Sequence, residues 1–246
     1  KKLKIKTETI FACDINDKAK EVYSNNFNIK KLYGDIRKIT DIKKTIGKHD
    51  ILIAGFPCPP FSIAGVVKRN SLNRKHGFED RKGNLFPDII KVLKVTKPKV
   101  FLLENVRNLY SHNQGNTFKK MLKKLSEIGY ETIDYALLNS KNFGLPQSRN
   151  RIYIVGFKKF TLFNFPTGKN KKTFIADILE SKINNKYFIS DKLWNSHKAR
   201  KKKNKDRGLG FGYGLVSEND EYTRTLSARY YKDGSEILLK VKGKKT

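Results

Sequence analysis

Cys58 is one of two cysteines in the 246-residue chain, and it stands in Phe56-Pro57-Cys58-Pro59-Pro60-Phe61-Ser62, directly after the apolar run Ile51-Leu52-Ile53-Ala54. A buried strand that runs into a proline-stiffened turn delivers its thiol to the edge of a sheet, where it is a candidate nucleophile. A free cysteine is only a few per cent thiolate near pH 7, and positive surroundings raise that fraction. The competing reading is a cysteine buried as a small hydrophobe.

Other residues suit chemistry beside such a thiol. Glu104 closes the apolar run Val100-Phe101-Leu102-Leu103, where a carboxylate must be solvated, paired or protonated. It fits a helix cap, or a partly protonated acid that hydrogen-bonds a ring nitrogen of a bound base. In Gln147-Ser148-Arg149-Asn150-Arg151 the two arginines are two residues apart, so a strand places them on one face. Two guanidiniums hold a phosphate and fix carboxylate geometry; a solvated strand start is the alternative. Asp14 follows the run Thr9-Ile10-Phe11-Ala12, and Asp35 follows Gly34. One acid at a strand end suits a ribose diol and a second suits an exocyclic amine of adenine, although Asp35 also fits a turn cap.

Short apolar strands alternate with amphipathic stretches to about residue 165, which predicts an α/β sheet with helices packed on it. Strands are expected at 9–12, 50–54, 100–103, 135–138 and 151–155. Helices are expected from Asp17, along Leu85 to Leu93, and along Phe118 to Ile128 with Gly129 at the end. Asp14, Cys58 and Glu104 then all fall at carboxyl ends of strands, the edge at which open α/β sheets bind ligands. Two domains are expected, 1–165 and 166–246, the second rich in turns and carrying the basic run Lys198-Ala199-Arg200-Lys201-Lys202-Lys203-Asn204-Lys205.

The chain carries 53 Lys and Arg against 23 Asp and Glu, a formal charge of +30. That excess points first to nucleic acid, although an anionic membrane surface or a lysine-rich translation bias gives the same sum. No apolar run approaches the roughly 20 residues that cross a bilayer. Two isolated cysteines make neither a disulfide framework nor a zinc site, and the lysine-rich start does not read as a secretory leader, so a reducing cytoplasm is expected.

Together these residues resemble the DNA (cytosine-5) methyltransferases. The resemblance rests on Gly55-Phe56-Pro57-Cys58, Glu104-Asn105-Val106 and Gln147-Ser148-Arg149-Asn150-Arg151. It is joined by Asn142-Phe143-Gly144-Leu145-Pro146, by Gly77-Phe78-Glu79-Asp80 leading to Arg81-Lys82-Gly83-Asn84-Leu85-Phe86, and by Thr225-Leu226-Ser227-Ala228. It implies an α/β, Rossmann-like S-adenosylmethionine-dependent methyltransferase domain, followed by the start of a smaller target-recognition domain. It further implies methyl transfer to C5 of cytosine in double-stranded DNA through a covalent Cys58–C6 intermediate. The catalytic set would be Cys58, Glu104, Arg149 and Arg151. The S-adenosylmethionine set would be Asp14, Ile15, Asp35, Ile36 and Pro57, with no metal. The target base must leave the helix to be reached. DNA contacts are expected from Ser62, Arg69, Arg74, Lys75 and Arg81, and from Arg224, Thr225, Arg229 and Tyr230.

Three departures from the family pattern qualify these implications. Pro59 replaces the usual glutamine after Pro57-Cys58. The start lacks the glycine-containing strand that is central in the family's sheet, and the end stops before the late motifs. The chain therefore reads as a fragment, a subunit of a split enzyme or a degenerate copy, with a complementary methyltransferase subunit as an expected partner. A silent DNA-binding fragment and an RNA cytosine methyltransferase are the competing functions. Restriction-modification and a cytoplasmic, nucleoid-associated location follow from the main reading.

Overall fold

A computed structural model describes residues 5–57, 85–168, 172–210, 212–226 and 237–240. The elements run β1 (Ala12–Cys13), α1 (Asp17–Asn26), β2 (Leu32–Tyr33), α2 (Ile42–Ile46), β3 (Ile51–Gly55), α3 (Phe86–Thr96), β4 (Val100–Val106), the short α4 (Asn108–Ser111), α5 (Asn116–Ser126), β5 (Thr132–Asn139), β6 (Gln147–Ser148), β7 (Asn150–Phe157), α6 (Asp191–Asp206), β8 (Gly214–Val216), β9 (Thr223–Arg224) and β10 (Ile237–Leu239). The chain divides into two compact units. One comprises Lys1–Leu137 with Arg151–Phe165, the other Leu138–Asn150 with Pro166–Thr246.

In the first unit a four-stranded sheet has the order β3-β4-β7-β5. β3 runs parallel to β4, with Ile51 opposite Val100 and Gly55 opposite Glu104, while β7 runs antiparallel to β4. β4 alternates, turning Phe101, Leu103 and Asn105 to a buried face. α3 and α5 cover that face. Phe86, Ile89, Ile90 and Leu93 recur at helical spacing on α3, and Phe118, Met121 and Leu125 do so on α5. Pro87 in the first turn of α3 suits a position whose amide needs no helical acceptor.

The opposite face of the sheet is uncovered at β3, where Ile51 is 56% and Ile53 73% exposed. These two residues pair in register with Val100 and Leu102, so they share the face that carries Glu104. β1 and β2 form a separate parallel pair. α1 begins on Asn16, whose side chain accepts from the amides of Lys18 and Ala19, but it buries no residue.

In the second unit β6 pairs with β9 and β8 with β10, both in parallel. α6 begins on Ser190, whose Oγ accepts from the Leu193 amide. Among the described residues no helix is long and apolar enough to cross a membrane.

Three sequence expectations shift. β4 continues to Val106, so Glu104 lies inside a strand and caps no helix. Strand pairing with β7 as far as Val106 opposite Arg151 holds the chain extended there. Arg149 falls in the break between β6 and β7, so the two arginines do not share one continuous strand. Leu138–Asn150 belongs to the second unit, although it precedes residue 165.

Candidate active site

Glu104 owes its position to the register of β4. It faces Gly55, the last residue of β3, on one side and Tyr153 of β7 on the other. A Cβ on residue 55 would stand 3.4 Å from Glu104 Oε2, so the glycine keeps that side of the carboxylate open. Arg151 stands two residues before Tyr153 on β7, the diagonal neighbour on the same face. Its Nε lies 2.7 Å from Glu104 Oε1, and both side chains are partly shielded from solvent. The guanidinium thus fixes Oε1, while Oε2 lies on the side of Gly55.

The segment leading from β3 toward Cys58 is anchored. Phe56 is buried and packs against Phe86, with ring centroids 6.1 Å apart. Its carbonyl accepts from Asn105 Nδ2 at 3.4 Å. Asn105 is only 2% exposed, and its Oδ1 accepts from the Val106 amide at 2.8 Å. Pro57 is exposed. Cys58, Ser62, Arg69, Arg74, Lys75 and Arg81 lie outside the described residues, as do Arg229 and Tyr230.

A second cluster forms at the carboxyl edge of the β1–β2 pair. Because Cys13 pairs with Tyr33 in parallel, the residues that follow them, Asp14 and Gly34-Asp35, emerge on the same edge. The Asp14 amide donates to the Tyr33 carbonyl at 3.0 Å, and Asp14 Oδ1 accepts from the Asn16 amide at 2.7 Å. Ile15 is largely exposed. Tyr33, Gly34, Asp35, Lys38, Ile39, Thr40 and Thr45 line a cleft of about 420 Å³.

Asp35 is held more firmly than its sequence context suggested. Arg37 forks its carboxylate, with Nη2 donating at 2.7 Å and Nε at 3.0 Å, and the Arg37 amide donates to it as well. These hydrogen bonds hold the Asp35 carboxyl down at about 2. Ile36 opens the turn that Asp35 caps. Cys13, at the end of β1, donates to the Gly34 carbonyl, and burial, with Asp35 and Asp14 nearby, pushes its thiol up. That makes Cys13 a poor nucleophile at neutral pH.

Asp14, with one oxygen engaged by backbone, and the apolar, exposed Ile15 fit a nucleoside: a diol acceptor beside an apolar surface for a ring. Asp35 fits less directly, since both of its oxygens are already engaged by Arg37.

In the second unit, the loop after β5 is closed on itself around Arg149. Asn139 Oδ1 accepts from the Arg149 amide at 3.0 Å, its Nδ2 donates to Ser148 Oγ at 3.1 Å, and the Ser140 amide donates to the Arg149 carbonyl. Gly144, at φ 83°, turns the chain back. Thr225 Oγ1 donates to the Ser148 carbonyl at 2.8 Å and so ties the end of β9 to the loop. Arg224 Nη2 donates to the Gly212 carbonyl at 2.7 Å.

Asn139 and Arg37 were not singled out from the sequence, and Asn105 entered only as part of the Glu104-Asn105-Val106 motif. Asn105 and Arg37 each stand beside a chosen residue, Glu104 and Ile36, whereas Asn139 stands beside none. Among the described residues no group of three His, Cys, Asp or Glu side chains suits a metal.

Comparison with known proteins gives this constellation its context. The family model described as C-5 cytosine-specific DNA methylase matches residues 3–246. The chain belongs to that family. It is 48% identical over 244 residues to the type II methyltransferase M1.ScrFI of Lactococcus lactis subsp. cremoris, a match covering 97% of this chain and 60% of that protein. It is 44% identical over 220 residues to a DNA-cytosine methyltransferase of Escherichia coli (strain K12), covering 80% of this chain and 46% of that one. The chain thus spans about half to three fifths of the length of these curated relatives. The S. pombe Dnmt2 methyltransferase structure matches with a TM-score of 0.67 at 18% identity, covering 97% of this chain and 70% of that one. That likeness shows the fold, an α/β Rossmann-like methyltransferase architecture for this C-5 cytosine methylase family member.

Proposed function

We propose that this family member contributes the catalytic residues for methylation of cytosine C5 in double-stranded DNA. The observation that supports it most is the Arg151-bound Glu104 carboxylate directly opposite Gly55. Cys58 follows Gly55 by three residues, which at no more than about 3.6 Å each keeps its Cα within about 11 Å of Gly55. A thiol and a carboxylic acid within such reach can address C6 and N3, which lie across one pyrimidine ring from each other.

Cytosine C5 is a weak nucleophile inside an aromatic ring. Attack of the Cys58 thiolate on C6 forms an S–C bond and makes C5 enamine-like. Glu104, in its protonated form, donates a proton to N3 and so draws off the charge that arrives with the thiolate. Arg151 holds Glu104 in place and is suited to the pyrimidine carbonyl, and Arg149 to the everted nucleotide. After C5 is methylated, its proton passes to a base, the thiolate leaves C6 and N3 returns its proton to Glu104, restoring the aromatic ring. S-Adenosylmethionine, when bound, supplies the electrophilic methyl group; Asp14, Ile15, Asp35, Ile36 and Pro57 are the residues that would hold it.

Affinity for the duplex would come from Ser62, Arg69, Arg74, Lys75 and Arg81 in the segment after Cys58, and from Arg224, Thr225, Arg229 and Tyr230 in the second unit. A DNA substrate would keep the protein at the nucleoid. The exposed Ile51 and Ile53 on the Glu104 face of β3 favour a complementing methyltransferase segment that pairs with this strand and covers that face.

The test combines the chain with a complementing segment taken from a relative, labelled S-adenosylmethionine and mixed-sequence duplex DNA. Label at cytosine C5, its loss in Cys58→Ser, and a covalent adduct with 5-fluorocytosine DNA are expected. Binding of DNA and cofactor without label or adduct would leave a silent DNA-binding protein, and preferential labelling of tRNA would move the substrate to RNA.

A further inference from the structure

We propose that α6 is a phosphate-binding helix, a sequence-independent clamp on the DNA backbone that sets the register of the segment 212–226. This rests on the reading of duplex DNA as substrate. Over its 16 residues α6 carries seven lysines and arginines against two aspartates, one at each end. Its inner stripe is Trp194, His197, Lys201 and Asn204, at the three- and four-residue spacing of a single helix face. Tyr213 packs on this stripe, edge-on to Trp194 with centroids 4.9 Å apart, and lies under Lys201 Nζ, 4.4 Å from the ring centroid.

The rest of the helix is exposed along its length and carries six of the seven cations. Arg200, Lys202 and Lys203 are exposed, and among the described residues none of them forms a salt bridge. Lys198 and Lys202, and Arg200 and Lys203, are like charges at four- and three-residue spacing, an arrangement that weakens a helix. The helix dipole accounts for Lys203 and Lys205 in the last turn but not for Arg200 or Lys202 further back. A helix held by an aromatic anchor while its outer face repels itself is relieved by a polyanion, and duplex DNA offers one negative charge per about 1.7 Å of its axis.

The anchor explains why the clamp matters for positioning. Lys201 Nζ donates to the Tyr213 carbonyl at 3.3 Å, and Arg224 Nη2 donates to the neighbouring Gly212 carbonyl at 2.7 Å. Backbone contacts made by α6 are thereby transmitted to β9. Phosphate contacts of this kind fix orientation and carry no sequence information.

The test is salt-dependent binding of the full chain to two labelled duplexes of unrelated sequence, with and without Arg200→Gln/Lys202→Gln/Lys203→Gln. Glutamine is a good helix former and leaves the inner stripe intact. The slope of log affinity against log salt should become shallower by about 2.7, at about 0.9 per phosphate, with equal loss on both duplexes. An unchanged slope in a variant with unaltered helical circular dichroism would overturn the clamp while leaving the DNA reading standing. A second measurement needs no variant: acetylation of the unsubstituted chain should be suppressed at Lys202 and Lys203 by duplex DNA. Equal acetylation with and without DNA, or protection by anionic lipid vesicles and not by DNA, would also overturn the clamp. Failure of the unsubstituted chain to bind either duplex would sink the DNA reading together with it.

Discussion

Arg151 reaches Glu104 diagonally across the β4–β7 ladder, Nε to Oε1 at 2.7 Å, while Gly55 leaves the opposite side of the carboxylate open. One oxygen of Glu104 is therefore held by Arg151 and the other lies beside Gly55.

Removing that support should impair chemistry more than binding. In a reconstituted methylation assay, Arg151→Ala should lower kcat by about 100-fold while leaving KM for DNA nearly unchanged. Arg151→Lys should recover part of the loss, because a lysine restores the charge without the directional fork. An unaltered kcat in Arg151→Ala would show that Glu104 needs no orienting partner.

Asn105 joins the end of β3 to β4 through the Phe56 carbonyl. Asn105→Ala leaves that acceptor and the Val106 amide short of a partner in a buried position, which should cost about 1–3 kcal/mol in urea unfolding. Asn105→Asp keeps the acceptor for Val106 but loses the donor to Phe56. A wild-type denaturation midpoint for Asn105→Ala would contradict the bridging role.

Gly156 on β7 has the fully buried Phe101 ring directly over it, and a Cβ there would come within 2.1 Å of the ring. Gly156→Ala should therefore destabilise the first unit by about 1–3 kcal/mol or more through overpacking. Adding Phe101→Leu should restore part of that stability, and two independent, additive losses would argue against the contact.

The Asp35–Arg37 fork has a pH signature. The Asp35 carboxyl sits at about 2 when folded, below its ordinary value near 3.9. A depressed carboxyl contributes stability that is complete above the unfolded value and is lost as pH falls through the folded one, here between about pH 4 and pH 2. Carbon-13 NMR of the side-chain carboxyl should show Asp35 still ionised at pH 3, and Arg37→Ala should return it to the ordinary range. A titration near 4 in the unsubstituted protein would remove the fork from solution.

The family was legible in the sequence because its signature resides in residue types at short spacing. Gly55-Phe56-Pro57-Cys58, Glu104-Asn105-Val106 and the paired arginines carry the family resemblance without any fold. The helical faces of α3 and α5 were legible for the same reason, since a 3.6-residue period is local and strong in Phe86 to Leu93 and in Phe118 to Leu125.

What the sequence left open is what depends on pairing between distant segments. Only the register of β4 with β3 and β7 sets Glu104 opposite Gly55 and diagonal to Arg151, because strand partners are chosen by shared burial and not by neighbouring residues. The same non-local choice put Arg149 in the turn between two strands, where Asn139 holds its amide. Capture of Asp35 by Arg37 and the outward charge of α6 likewise required side-chain directions, which composition alone does not contain.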